Sequence, residues 1–325
     1  MLIPPKYTLT KDIVALLSEI EASKAIIDAI PLAPEIETNI RRQATLQSSL
    51  FSARIEGNPL TLEELTPGSK VQKKAEVFNI LKAIDWMRER SKKDITTSDM
   101  LTLHKITTKG LVPEAGEFRR EPSATFNSAG IAIYMHPPPK QAQNYFARLL
   151  KFVNSEREPL VPVRAVLAHY SFEKIHPFLD GNGRCGRLLL SKVLMQGGYD
   201  MKGLMAIEEY IDNHRSEYYR ALEEPEKELT SYVEFMLRAI SETAARAAKL
   251  TQAGVSALPE DKLLPRRAEI VKIVRDQKIV NLDMIKRRFS AVNPRTLRHD
   301  VKRLVDEGYL KKLGSTRGVY YTLGK

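Results

Sequence analysis

The chain has 325 residues, 43% of them hydrophobic and 28% charged, which is enough length for two or three domains and an ordinary globular balance. Cys185 is the one cysteine, which excludes an intramolecular disulfide and a cysteine-built zinc site. The N-terminus lacks a signal-peptide layout and no run of 18 apolar residues follows, so the expectation is a cytoplasmic protein without a membrane partner. The net charge of +11 is uneven: residues 265–325 hold 16 Lys and Arg against 6 Asp and Glu, nearly the whole excess, as expected of a segment that meets polyanions.

Up to residue 250 the pattern is mainly helical. Residues 11–30 bring Ile13, Leu17, Ile20, Ile27 and Ile30 near one face, and Pro31 and Pro34 close the segment. Residues 39–57 set Ile40, Ala44, Gln47, Phe51 and Ile55 on a stripe that stops at Gly57 and Pro59. Thr61 with Glu64 has the form of a capping box. Val71, Ala75, Phe78, Leu81 and Ile84 space a further amphipathic helix, and two more are predicted at 98–111 and 140–156. Between these two, Phe126, Ile131, Ile133 and Tyr134 flank a turn-like NSAG, which reads as a short β-hairpin. A helix over 162–175 then delivers the chain to His176, and 251–265 reads as a linker.

The stretch HPFLDGNGRCGRLLL, 176–190, places a dense polar set where an apolar helix begins. The glycines Gly181 and Gly183 flank Asn182 and present backbone N–H groups at the positive end of a helix dipole, a cradle for phosphate. Arg184 and Arg187 share a helical face and can fork onto phosphate oxygens. Asp180 can hold Mg²⁺, which binds through one or two carboxylates plus phosphates, and His176 suits a general base near neutral pH. Taken singly, these could be a core histidine, a helix N-cap and solvated arginines; their joint spacing argues against that. There is no P-loop, no G-x-G-x-x-G and no H-E-x-x-H, and His169, seven residues before His176, reads as a core residue.

Residues 176–187 match every specified position of His-x-Phe-x-Asp/Glu-Gly-Asn-Gly-Arg-x-x-Arg, the signature of the Fic (filamentation induced by cAMP) proteins, and the chain resembles that family over roughly 40–245. GEFR at 116–119, a hairpin ending in YMHPPP and EYYRAL at 217–222 stand where the family has an arginine-bearing loop, a target-docking flap and nucleotide-side tyrosines. His136 stands before the prolines where related proteins often have another residue. The resemblance implies a mainly α fold, a helical core with a β-hairpin flap. It also implies a protein adenylyltransferase that moves AMP from ATP to a Ser, Thr or Tyr hydroxyl of a target protein. His176 would be the base, Phe178 the core anchor and Asp180 the Mg²⁺ ligand. Gly181, Asn182, Gly183, Arg184 and Arg187 would bind phosphates, with Tyr218 and Tyr219 on the adenine side.

The segment SARIEG, 52–57, sets Glu56 in the last turn of its helix, where the dipole disfavours a carboxylate by about 0.3–1 kcal/mol. SARIEG also fits the family's inhibitory-helix pattern, which implies that Glu56 pairs with Arg187 and blocks placement of the γ-phosphate. In the tail, two helices, the turn SAVN, a third helix and two strands around GSTRG follow the order of a winged helix-turn-helix. Arg295, Arg298 and Lys302 would then face DNA, protein docking being the alternative use of such a module. The expected organisation is an N-terminal helical region (1–95) with its inhibitory helix at 39–57, a Fic core (96–250), a linker (251–264) and a winged helix (265–325). Two other functions stay open: a DNA-binding regulator whose core senses nucleotide, and a Fic enzyme that uses another donor or removes AMP. The oligomeric state, a homo-oligomer included, is open as well.

Overall fold

The computed structural model describes all residues except 62–70, 92, 127–129, 256–262, 264, 290–291, 315–317 and 325. By contacts the chain divides into two units, Met1–Ala29 with Gln43–Ala248, and Ile30–Arg42 with Lys249–Lys325. Residues 30–42, which the sequence places with the N-terminal region, therefore group with the basic tail.

In the first unit the helices are α1 (Lys11–Ala29), α2 (Pro34–Ile55, beginning in the second unit), α3 (Val71–Arg88) and α4 (Thr97–Thr107). There follow strands β1 (Ala124–Phe126) and β2 (Ala132–Met135), then α5 (Pro139–Val153), α6 (Val161–Ile175), α7 (Asn182–Gln196), α8 (Ile207–Asn213), α9 (Arg215–Leu222) and α10 (Thr230–Val255, ending in the second unit). The hairpin is antiparallel, with Ala124 opposite Met135 and Thr125 opposite Tyr134. Part of the NSAG turn lies outside the described residues, as does Glu64 of the expected capping box. A capping box does form at α4, where Thr96 and Asp99 each accept from the other's backbone N–H.

The sequence locates the helices better than their faces. In α1 the buried stripe is Ile13, Leu16, Ile20, Ser23 and Ile27, not one through Leu17, which lies roughly a quarter turn away. In α3 it is Val77, Ile80, Ala83, Ile84 and Met87, while Phe78 is exposed. Apolar residues on adjacent stripes make such choices degenerate until a packing partner selects one. The buried side of α2 includes Ser48, Ser49 and Ser52, because polar partners face it: Ser48 donates to Glu208 at 2.8 Å and Ser52 accepts from Arg187 at 3.0 Å. The predicted linker begins too early, since α10 continues to Val255.

Helices α6 and α7 form the heart of this unit. Almost every side chain of α6 from Val163 to Phe172 is buried, and Leu188, Leu189, Leu190, Val193 and Leu194 bury the leucine-rich stretch of α7. This rigid pair holds the connecting loop 176–181.

The second unit contains α11 (Pro265–Gln277), β3 (Val280–Asn281), α12 (Leu282–Arg288), α13 (Pro294–Asp306), β4 (Leu310–Leu313) and β5 (Tyr320–Leu323). Its strands lie in the order β3-β5-β4, all antiparallel. Ile270, Val274, Ile285, Leu297, Val301, Leu304 and Leu310 form its core. Asn281 caps α12 by accepting from the Met284 N–H at 2.9 Å. Pro294 opens α13, whose first N–H groups have no helical acceptor to lose. Parts of the SAVN and GSTRG turns lie outside the described residues.

Candidate active site

The chain leaves α6 at His176, which takes the left-handed conformation (φ 49°) as the helix C-cap. A non-glycine residue costs about 1–2 kcal/mol there. Pro177 cannot continue the helix, and the Arg119 side chain fixes the bend. Its guanidinium donates to the His176 carbonyl at 2.7 Å and to the carbonyls of Glu121 and Pro137, joining the loop to the base of the hairpin.

Phe178 is fully buried, stacked on His104 with centroids 3.8 Å apart, and Phe118 lies at 5.8 Å. His104 also donates through Nε2 to the Asp180 carbonyl at 2.9 Å, because its Nδ1 is occupied in accepting the Gly116 N–H. Gly181 (φ +79°) then admits α7, where a Cβ would lie 2.6 Å from Thr108 Cγ2. The Asn182 side chain clasps the loop: its amide oxygen accepts from the Phe178 N–H and its amide nitrogen donates to the Phe178 carbonyl, both at 2.9 Å. Only its backbone N–H is left at the helix end.

His176 Nδ1 lies 3.3 Å from the Glu173 carbonyl oxygen. That oxygen can only accept, so Nδ1 carries the proton and Nε2 presents its lone pair. Burial, with Arg119 nearby, lowers the His176 pKa to about 4, against the opposing pull of the Glu173 carbonyl and Asp180. The ring is thus a neutral base at physiological pH.

Helix geometry leaves the N–H groups of Asn182, Gly183 and Arg184 without intrahelical acceptors. Beside them Arg187, 1% exposed, donates to Ser52 Oγ at 3.0 Å, to the Ser52 carbonyl at 2.9 Å and to Glu56 Oε1 at 2.9 Å. Burial alone would lower the pKa of Arg187; the Glu56 carboxylate and other acidic neighbours outweigh it and hold the pKa above its ordinary value. A Cβ on Gly183 would collide with Glu56 Oε1, so the carboxylate rests against the first turn of α7.

Glu56 lies one residue past the end of α2, rather than within its last turn. The unfavourable α2 terminus is therefore opposed by the α7 N-terminus and by a charge-assisted bond that contributes about 1.5–3 kcal/mol. The attraction wins. Arg184, 4% exposed, is held between Glu76 at 2.7 Å and Asp180 at 3.2 Å, and its Nε is buried without a partner.

Glu56, His136, Glu173, His176, Gly183 and Arg187, with others, line a cavity of about 760 Å³, a volume that suits a nucleotide, and Asp180 and Arg184 stand outside that lining. Tyr219 lies on its wall, 48% exposed. Tyr218 also borders it but is 1% exposed, and its hydroxyl stands 3.3 Å from His169 Nε2, so its side chain is mainly core. His169 is fully buried and bonded to the Tyr232 hydroxyl at 2.6 Å, a core residue as expected. Glu173 reaches the same cavity; burial raises its carboxyl to about 8, so it is neutral at pH 7.

Sequence reasoning missed Ser52, Glu76, His104, His136 and Glu173 as parts of this site. They lie outside the twelve-residue motif and come from α2, α3, α4, the hairpin and α6. Among them, Ser52 was the one visible signal, as the serine that opens the SARIEG pattern, although the stripe predicted for that helix ran through Phe51 and Ile55.

In the second unit, Arg295, Arg298 and Lys302 are exposed on α13, opposite buried Leu297, Val301 and Leu304. Asp300 is buried and accepts from Arg266 and Arg267.

A helical core carrying a β-hairpin, with a short loop joining its two central helices, is a fold shared with solved Fic proteins. A Fic family protein from Desulfovibrio desulfuricans matches with a TM-score of 0.66 at 24% identity, covering 98% of each chain. A Fic domain containing signaling protein from Bacteroides thetaiotaomicron matches at 0.61 and 21% identity, over 76% of this chain and 99% of that one. Residues 94–194 match the model of the Fic/DOC family, and this part of the chain is a Fic domain.

Among curated relatives, a protein adenylyltransferase Fic of Drosophila willistoni is 32% identical over 209 residues, and one of Drosophila melanogaster is 33% identical. Each match takes in 58% of this chain but 41% of the relative, so the chain matches about two fifths of the length of those proteins.

Proposed function

We propose that the protein transfers AMP from ATP to a hydroxyl of a target protein and that Glu56 restrains it. The carrying observation is the convergence of a neutral His176, the α7 N-terminus and Arg187 on one cavity of nucleotide size. The names of the curated relatives support the same reading.

In this mechanism His176 Nε2 takes the proton of the target's Ser, Thr or Tyr hydroxyl. The hydroxyl oxygen bonds to the α-phosphorus as the bond to the bridging oxygen breaks, and pyrophosphate leaves. The Asn182, Gly183 and Arg184 N–H groups bind phosphate oxygens, and Arg184 and Arg187 neutralise the distal phosphates, so the protein works by positioning and charge stabilisation. Asp180, 59% exposed at the side chain and adjacent to the phosphate cradle, suits a Mg²⁺ that needs one carboxylate beside phosphate oxygens. Such an ion would supply further neutralisation of the leaving pyrophosphate.

With Glu56 paired to Arg187, a γ-phosphate and a carboxylate compete for one guanidinium and one helix terminus. Incubation with α-labelled ATP and Mg²⁺ tests the reading: label on protein is expected, weak for the wild type and strong for Glu56→Gly. No label with either protein at any Mg²⁺ concentration rejects it.

A second function suits the second unit, with its three helices, small antiparallel sheet and exposed basic α13. We read it as a winged helix-turn-helix that binds DNA through Arg295, Arg298 and Lys302. Retention on DNA at low salt tests this, and its absence favours protein docking.

A further inference from the structure

His136 belongs to neither the twelve-residue motif nor the phosphate cradle, yet its ring lies face to face with that of His176. The centroids are 4.1 Å apart and the planes 13° apart. Each His136 nitrogen is engaged. Nδ1 lies 3.2 Å from the Lys174 carbonyl, an acceptor, so it carries the proton, and Nε2 accepts the Thr125 hydroxyl at 3.1 Å. The Tyr134 ring meets His136 edge-on at 5.2 Å, and the His136 N–H donates to the Ser123 carbonyl at 3.0 Å. His136 is therefore locked by the hairpin on one side and by the end of α6 on the other, 7% exposed, with one face left for His176.

We propose that His136 is a positioning residue: it holds the His176 imidazole in its productive plane, shields it from water, and ties it to the hairpin. The proposal rests on the AMP-transfer reading, to which it adds a residue that touches neither reacting atom.

First, the single weak Nδ1 bond of His176, at 3.3 Å, would not alone hold the ring against rotation, and the stacked face removes that freedom. Second, the charged and titratable groups facing the pair oppose a proton on either ring. Arg119 faces both rings, Lys174 faces His136, His176 opposes charge on His136, and Tyr134 adds apolar edge; the Lys174 carbonyl pulls the other way at His136, as Asp180 and the Glu173 carbonyl do at His176. Burial outweighs that pull, and His136 supplies part of the burial. Its own pKa falls to about 3, so it stays neutral alongside the base.

The experiment compares His136→Ala and His136→Phe, both in the full-length Glu56→Gly protein. Removing the ring opens His176 to water, so His136→Ala should lower kcat by about 10–100-fold with KM for ATP within about threefold. It should also move the acid limb of the pH–rate profile up by about one unit. Phenylalanine restores a flat apolar face, so His136→Phe should recover the rate to within about fivefold and restore the limb.

An NMR titration of the His176 Cε1–H, assigned with His176→Ala, reads the same shift without any turnover. It decides the question even if no AMP transfer is found, so failure of the parent reading and failure of this one stay distinct. An unmoved His176 titration in His136→Ala overturns the proposal. So do equal losses of activity in the two variants with no change in the acid limb.

Discussion

Arginine is used in two opposite ways in this protein. Arg184 and Arg187 are 4% and 1% exposed, and each is fixed by named acceptors before any ligand arrives. Arg295 and Arg298 on α13 stand exposed on a helix whose other face is core. A buried guanidinium must be paired, because an unpaired charge in a low dielectric is prohibitively costly. Whatever pairs it decides when it can bind something else. An exposed one needs no partner, and its attraction to a polyanion depends on salt. Regulation by a competing carboxylate is thus available to the first pair and not to the second.

The largest effect is expected at His176: replacement by alanine should reduce AMP transfer by about 10²–10⁴-fold, the usual contribution of a general base. ATP affinity should stay within about threefold, measured by calorimetry. Transfer within tenfold of wild type would remove His176 from the mechanism.

Next is the restraint. A charge-assisted pair worth about 1.5–3 kcal/mol corresponds to about 10–100-fold, so Glu56→Gly should raise incorporation of label by that order. Arg187→Ala also breaks the pair but removes a phosphate ligand, so its activity should remain low, and the double variant should resemble it. Equal labelling by wild type and Glu56→Gly would sink the restraint.

On the exposed side, replacing Arg295, Arg298 and Lys302 by alanine should reduce the slope of log affinity for DNA against log salt by about 2–3. Stability should change by less than about 0.5 kcal/mol, since these side chains are exposed. AMP transfer should be unaffected. An unchanged slope would assign the basic face another partner.

The smallest effect concerns acid stability. His176, His136 and His169 have folded pKa values of about 4, 3 and 3, below the ordinary 6.5. Between those limits the unfolded chain binds protons on three histidines that the folded chain refuses. Glu173, raised to about 8, keeps one proton that an unfolded carboxylate releases above about 4.5. The three histidines outweigh the one carboxyl, so stability falls as pH drops below about 6.5. The Tm should decline steadily from pH 7 to pH 4.5, and His169→Gln should make that decline shallower. A Tm flat across this range would contradict the burial of these rings.

The sequence alone determined the helical class, the hairpin, the three helices and strands of the tail, and the motif from His176 to Arg187. Those signals are local: they depend on spacing along one helix, on proline and glycine at its ends, or on residues within twelve positions. It also singled out Glu56 and Arg187 as a pair, through the resemblance. Tertiary structure decided the rest. Which of two overlapping stripes is buried in α1 and α3 depends on the partner surface, not on the helix. Tyr218 enters the core because neighbours from other elements offer it a bond and cover. His136, Glu76 and Ser52 become part of the site because the hairpin, α3 and α2 converge on the α6–α7 turn from distant points in the chain. No spacing rule records such meetings, since they arise only when separate apolar faces bury against one another.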